Sequence, residues 1–377
     1  MLIKNNSYFT KYFDIKNKIY VLPNKKEWVD MKFTETTLDN HKHNSRAMSQ
    51  RPDNYRCIIN DLLPIPARSS WKVTENGLTE LKQNLINTNI DYSIKDLMRN
   101  SKKLLDVLDG EIAIELSGGL DTAIIIGIVK ALGIKVKLIG AISERYEFRT
   151  ERYVQELLSK EHEDVEFVSE LDTLPFSNLT STPFHAIPNK SSLFYYLNSV
   201  TADWAQSKNV KYILNGIGCD TILIDSIQNK SNNYIFDKTN LDDGWANDYI
   251  FLPQSSMYIN VAANYSIRKI ILSMRAMETL DTKKIWARKV FTDFIPEELS
   301  KYQYKASFGA TYAEGLKRNR NEIMLVCKKA FEHCKLERIN PNEMSKLIMC
   351  VEESDQKAEF EFLARLSFAN WIYAMIK

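Results

Sequence analysis

With 377 residues, 44% of them hydrophobic and 26% charged, the chain can bury a full core and make one large or two ordinary domains. A formal net charge of +2 removes strong basicity as an argument for a nucleic-acid partner. No uninterrupted apolar run reaches the roughly 18 residues of a membrane span, and the start, Met1-Leu2-Ile3-Lys4-Asn5-Asn6, lacks an apolar signal core. A soluble, cytoplasmic protein is therefore expected, with no membrane partner.

The amino-terminal stretch alternates in a strand-like way, through Tyr8, Phe9, Tyr12 and Phe13 and then Ile19 to Leu22 before Pro23. Asn40 to Arg56 is polar and reads as a loop, and its His41 and His43 have no partners at metal-ligand spacing. Leu62-Leu63-Pro64-Ile65-Pro66 and Trp71-Lys72-Val73 followed by Gly77 suit two short strands about a turn. Residues 1–92 are read as a small β-rich domain and 93–377 as a larger one.

Ser93 to Leu108 carries apolar residues at helical spacing with Lys and Arg between them, an amphipathic helix that ends at the Asp109-Gly110 turn. Ile112 to Leu116 is short enough for a buried strand, and Ala123 to Leu132 long enough for a buried helix. Between them stands Ser117-Gly118-Gly119-Leu120-Asp121-Thr122. Strand, glycine turn, helix is the geometry of a phosphate cradle: backbone without a Cβ lets an oxyanion approach, and the first helical N–H groups face it. Ser117 and Thr122 add hydroxyl donors, and Asp121 is a carboxylate suited to Mg²⁺. The plain alternative is a tight structural turn.

Gly133 stops the helix, and Val136 to Ile142 is a second strand. A strand, helix, strand run implies a right-handed crossover and a parallel sheet, an α/β fold with helices on both faces. Ligands of such sheets bind at the carboxyl ends of strands, where Leu116, Ser117 and Ser143 fall. Glu151 to Glu161 is the next helix, Val165 to Val168 a third strand, and residues 169–190, with Pro175, Pro183 and Pro188, are irregular. Leu193 to Gln206 is a helix leading to the strand Val210 to Leu214.

That strand runs into Asn215-Gly216-Ile217-Gly218-Cys219-Asp220-Thr221. A second buried strand thus brings glycines and a carboxylate to the same edge, and Asp121 and Asp220 could share one Mg²⁺ bound to phosphate oxygens. Asp225 to Tyr249 is polar and reads either as a lid over the site or as simple disorder. From Ser256 onward the periodicity through Ile259, Ala262, Ala263, Ile267, Ile270, Ile271 and Met274 predicts helix. Ile323 to Phe331 and the stretch from Phe360 to Met375 are read as further helices. The five cysteines, Cys57, Cys219, Cys327, Cys334 and Cys350, show no paired spacing and read as reduced thiols. Cys327 and Cys334 share a helix face with Ala330 and Phe331, which makes core packing the better account than zinc.

Ser117 to Thr122 resembles the SGGxD[ST] pyrophosphate loop of the ATP pyrophosphatase superfamily, and no Gly-Lys-Ser/Thr of the kinase type follows a glycine turn. Asn215 to Thr221 is similar to the [ST]GxGxDE signature of asparagine synthetases, β-lactam synthetases and lasso-peptide cyclases. The run from Pro296 through Lys305 to Phe308-Gly309 is similar to their LPxxhxxRxKxGF segment with one extra residue. The resemblance implies an adenine nucleotide alpha hydrolase-like fold and ATP with Mg²⁺. It implies pyrophosphate and nucleotide contacts from Leu116, Ser117, Gly118, Gly119, Asp121, Thr122, Ser143, Gly216 and Gly218, metal ligation by Asp121 and Asp220, and catalytic roles for these aspartates and Lys305.

Departures from the family narrow the reading. Thr221 stands for the usual Glu, Gln303 for the Arg and Ser307 for the Gly, while Ile217 occupies a position where relatives place a Glu or a Tyr, and it cannot act as a base. Leu2 stands where the family's glutaminase has its cysteine, so the amino-terminal domain is read as a degenerate glutaminase-like remnant and the amine must arrive ready-made. The expectation is a carbon–nitrogen ligase that adenylates a carboxylate, releasing AMP and pyrophosphate, on a peptide or natural-product precursor as in lasso-peptide cyclisation, with a partner protein to present it. The alternatives are ammonia-dependent asparagine synthesis, nucleobase adenylation in tRNA, and nucleotide binding without turnover.

Overall fold

The computed structural model describes residues 2–5, 11–14, 19–21, 33–39, 54–55, 62–65, 69–74, 77–80, 86–87, 92–145, 148–184, 188, 190–216, 219, 223, 233–234, 257–260, 266–267, 270–271, 274, 284–301, 309–352 and 356–377. At its centre is a five-stranded sheet built from β1 (Glu111–Glu115), β2 (Lys137–Ile142), β3 (Val165–Ser169), β4 (Val210–Asn215) and β5 (Met257–Asn260). The order is 3-2-1-4-5 and every neighbouring pair is parallel. Order reverses at β1, between β2 and β4, which opens a crevice at the carboxyl ends of those strands.

Helix α1 (Ile94–Asp106) starts at a capping box, in which Ser93 N donates to Asp96 Oδ2 at 2.9 Å while Asp96 N donates to Ser93 Oγ at 3.4 Å. Helix α2 (Leu120–Ala131) is apolar around most of its circumference and eight of its residues are buried, because it runs between the sheet and other helices. Gly127 is where α2 is crossed: a methyl there would meet the carbonyl oxygen of Phe294 at 1.8 Å. Gly133, at φ +69°, ends the helix in the left-handed region. Helix α3 (Arg149–Ser159) sends Val154 and Leu158 into the same core. Strand alternation splits the sheet's side chains between two layers. Ile112, Ile114, Leu138 and Leu214 pack with α1, α2 and α3, whereas Ala113, Ile139 and Ile213 pack with Ala202, Trp204 and Ala205 of α4 (Tyr195–Ser207). The protein is therefore an α/β structure with a parallel sheet covered on both faces.

Beyond the sheet, α5 (Ile285–Val290) and α6 (Glu297–Lys301) lead to a carboxyl-terminal helical layer of α7 (Gly309–Cys334), α8 (Pro341–Glu352) and α9 (Gln356–Ile376). Cys327 and Ala330 lie in its core and Cys334 is partly buried against it. No described helix is long and apolar enough to cross a membrane.

Toward the amino terminus the strands Leu2–Asn5, Ser69–Thr74, Gly77–Glu80 and Asn54–Tyr55 form one antiparallel sheet, and Ile19–Val21, Lys11–Asp14 and Leu62–Ile65 another. Residues 35–39, by contrast, are helical. Phe33 packs edge-on to Phe368 and Trp371 of α9, at 6.1 and 5.5 Å between centroids, and Arg338 reaches Asp39 at 2.6 Å. So a piece of the stretch read as strand-like belongs to the carboxyl-terminal core. Two further expectations are corrected. Residues 257–260 are strand β5, not helix, with Tyr212 to Asn215 paired to Met257 to Asn260. The long helix α7 begins well before Ile323. Within the segment read as a lid, Asn233–Tyr234 pairs antiparallel with Ile86–Asn87.

Candidate functional site

The site is assembled at the carboxyl ends of β1, β2 and β4. Leu116, buried just after β1, donates its N–H to Ile139 O at 2.7 Å, so the chain leaves the sheet still tied to β2. Its carbonyl accepts from Gln155 Nε2 at 2.9 Å, and the same amide nitrogen donates to Ala141 O at 2.9 Å. Gln155, a buried polar side chain on α3, thereby pins together the ends of the two strands that carry Ser117 and Ser143.

The two glycines of the turn do different work. Gly118 sits at φ +74°, and a methyl on it would lie 2.3 Å from the carbonyl oxygen of Glu151. Its missing Cβ is what lets α3 pack on the turn. A methyl on Gly119 would meet only Ser117 Oγ, at 3.4 Å, so this is where a ligand can approach the backbone. Gly119 is also the N-cap of α2, with no side-chain cap on the helix, and its N–H donates to Ser117 Oγ at 3.3 Å. The hydroxyls of Ser117 and Thr122 are hydrogen-bonded to one another at 2.9 Å.

Gly216, which opens the second glycine motif, lies against the first turn. Strand β4 ends at the buried Asn215, and a methyl on Gly216 would stand 3.3 Å from Asp121 Cβ and 3.5 Å from Thr122 Oγ1. The chain then bends back, with Cys219 N donating to Gly216 O at 3.0 Å, and Cys219 and Leu223 enter the core beneath α1 and α2. Gly218, Asp220 and Lys305 lie outside the described residues, so the structure brings together Leu116, Ser117, Gly118, Gly119, Asp121, Thr122 and Gly216 of the predicted set, with Ser143 at the end of the neighbouring strand. Ser143 is buried and its Oγ accepts from Arg145 N at 3.2 Å.

A lysine not singled out by the sequence occupies the centre. Lys284, 7% exposed and directly before α5, donates from Nζ to Asp121 Oδ1 at 2.5 Å. Its backbone is held at φ 54°, a left-handed conformation that costs a non-glycine residue about 1 kcal/mol. Nothing in Asp281-Thr282-Lys283-Lys284-Ile285 distinguishes this lysine from its neighbour; its burial depends on where α5 docks. Behind Asp121 the walls are hydrocarbon, with a cavity of about 40 Å³ lined by residues such as Ile124, Ile125, Leu214 and Phe291. An ion pair backed by apolar surface is screened less than one in water.

Backbone donors at a helix start, two hydroxyls and a buried ammonium make a set suited to an anion with several oxygens. Among the described residues no cluster of three or more His, Cys, Asp or Glu could hold a metal by itself. Comparison with protein-family models and with curated proteins finds no match for the chain.

Proposed function

We propose that the chain is an ATP- and Mg²⁺-dependent ligase of the adenine nucleotide alpha hydrolase type, similar to the synthetase domain of asparagine synthetases, that joins a carboxylate to an amine and releases AMP and pyrophosphate. The observation that carries this reading is the contact of Gly216, the first residue after β4, with Asp121 and Thr122 of the glycine turn after β1, where the strand order reverses. The donor set fits a pyrophosphate: Gly119 leaves the backbone open, Ser117 and Thr122 offer hydroxyls, and Lys284 supplies a fixed positive charge against the charge that develops on a leaving group. Asp121 and the hydroxyls and, as the resemblance implies, the carboxylate of Asp220 would supply hard oxygen ligands of the kind Mg²⁺ takes, and the ion would offset phosphate charge. The substrate favoured is a peptide or natural-product precursor presented by a partner protein, since Ile217 stands where asparagine synthetases place a Glu and β-lactam synthetases a Tyr, and it cannot act as a base.

Exchange of pyrophosphate into ATP, dependent on an added carboxylate or peptide, tests the reading. It should vanish in Asp121→Asn, and a peptide product lighter by one water would identify cyclisation. The pairing of Asp121 with Lys284 favours one second reading, a nucleotide-binding protein without turnover, because an ammonium already on that carboxylate competes with a metal ion. ATP binding without exchange, for any acceptor, would select it.

A further inference from the structure

Asp121 belongs to the first turn of α2, between the helix start at Gly119 and Thr122, whose hydroxyl is bonded to that of Ser117. An anion on that helix start lies beside the carboxylate, and the two repel unless a cation stands with them. The cation on Asp121 is the buried Lys284, with Nζ 2.5 Å from Oδ1. The helix that follows Lys284 is firmly docked. Trp286, Ala287 and Phe291 are buried, Arg288 donates to Leu299 O, and Phe294 O lies against Gly127 of α2. With α5 held to α2 and α6, the mobile part is the lysine's own four-carbon stem.

A carboxylate that holds an ammonium so closely is a poor ligand for a dication, because two cations would meet at one oxygen where water screens them little. Phosphate oxygens change that balance. They give the ammonium an acceptor of higher charge and release the carboxylate. We propose that Lys284 makes the glycine turn bind its ligands together: the ammonium keeps a divalent ion off Asp121 until a polyphosphate on the Gly119 helix start draws it away. Lys284 is then a positioning residue toward the metal and a direct ligand of the anion. Such coupling is reciprocal, so metal and polyphosphate raise one another's affinity by the same factor. The inference rests on the reading of Asp121 as a metal ligand beside pyrophosphate, and adds that a free divalent ion does not load the site by itself.

Two titrations of the full chain test this: Mn²⁺ without phosphate, followed by electron paramagnetic resonance, and pyrophosphate in EDTA, followed by calorimetry. Wild type should bind Mn²⁺ no more tightly than Asp121→Asn does. Lys284→Met should bind Mn²⁺ about tenfold more tightly than wild type and metal-free pyrophosphate about tenfold more weakly, and adding Asp121→Asn to it should erase the gain. A variant that merely failed to fold would lose both ligands, so the opposite signs are what count. Should Lys284→Met melt too early to titrate, wild type decides alone. Micromolar Mn²⁺ binding that wild type shows without phosphate and Asp121→Asn lacks would overturn the proposal. So would unchanged Mn²⁺ affinity in Lys284→Met, or no binding of metal-free pyrophosphate to wild type at millimolar concentration. Exchange of pyrophosphate into ATP is read separately: if it persists beside any of those results the ligase stands without the coupling, and if it is absent while the opposite shifts appear the coupling stands without the ligase.

Discussion

Lys284 Nζ and Asp121 Oδ1 lie 2.5 Å apart, with side-chain exposures of 9% and 17%, although 163 positions separate them in the chain. The pair couples the glycine turn after β1 to the start of α5. Removing one partner from a buried ion pair leaves the other charge uncompensated, which costs about 3 kcal/mol, more than the pair's own net worth. Lys284→Met and Asp121→Asn should each lower stability by roughly that amount in urea unfolding, and the double variant by clearly less than the sum. Additive losses would mean that the two side chains act independently. If the turn binds pyrophosphate, Lys284→Met should also weaken that binding in the same protein.

The two glycines make a separable prediction. Gly118→Ala asks a side chain to adopt φ +74° and to displace the backbone of Glu151, so a loss of about 3 kcal/mol is expected from strain and overpacking together. Gly119→Ala, with φ −84° and only Ser117 Oγ nearby, should fold nearly as well as wild type. Yet it fills the approach to the backbone, so pyrophosphate affinity should drop there. Thermal melts with and without pyrophosphate distinguish a structural glycine from a binding one.

These relationships differ in how far the sequence reveals them. Ile112 to Leu116 and Val210 to Leu214 are apolar runs of strand length followed at once by glycine, and local pattern suffices to find β1, β4 and the turns after them. Met257 to Asn260 defeated the pattern because Met, Tyr, Ile and Asn also fit a helix that resumes a few residues later, and only pairing with β4 decides the matter. The helical stretch 35–39 has the same explanation: Phe33 and Leu38 are ordinary apolar residues until α9 is beside them. Lys284 and Gln155 carry no local mark at all. A lysine or glutamine becomes part of a site by being buried opposite the right atom, and that is a property of docked elements. Gly118 was legible as a special glycine, and its missing Cβ makes room for the backbone of Glu151 on α3.

Gln155 is the next test of the site's frame. Its amide nitrogen serves Leu116 O and Ala141 O together, and both carbonyls would lose that donor in Gln155→Leu. A buried acceptor left unpaired costs about 1 to 3 kcal/mol, so a destabilisation of roughly 3 kcal/mol is expected for the two. Amide hydrogen exchange should speed up at the ends of β1 and β2 ahead of the rest of the sheet. Protection unchanged at Leu116 would show that the strands hold their ends without the glutamine.

His162, on the turn between α3 and β3, sets a pH dependence whose sign is fixed. Burial lowers its pKa below the ordinary 6.5, Glu161 opposes this and Lys130, itself paired to Glu161 at 2.7 Å, adds to it. Its Nε2 is buried with no hydrogen-bond partner among the described residues. Above 6.5 the imidazole is neutral in both folded and unfolded chains and contributes no pH dependence. As pH falls through 6.5 the unfolded chain takes the proton first, so the folded state loses stability until the folded imidazole is protonated as well. The urea midpoint of the wild type should therefore fall more steeply between pH 7 and about 5.5 than that of His162→Gln, which keeps the polar ring-sized group without the charge. Parallel curves for the two proteins would place the imidazole in solvent.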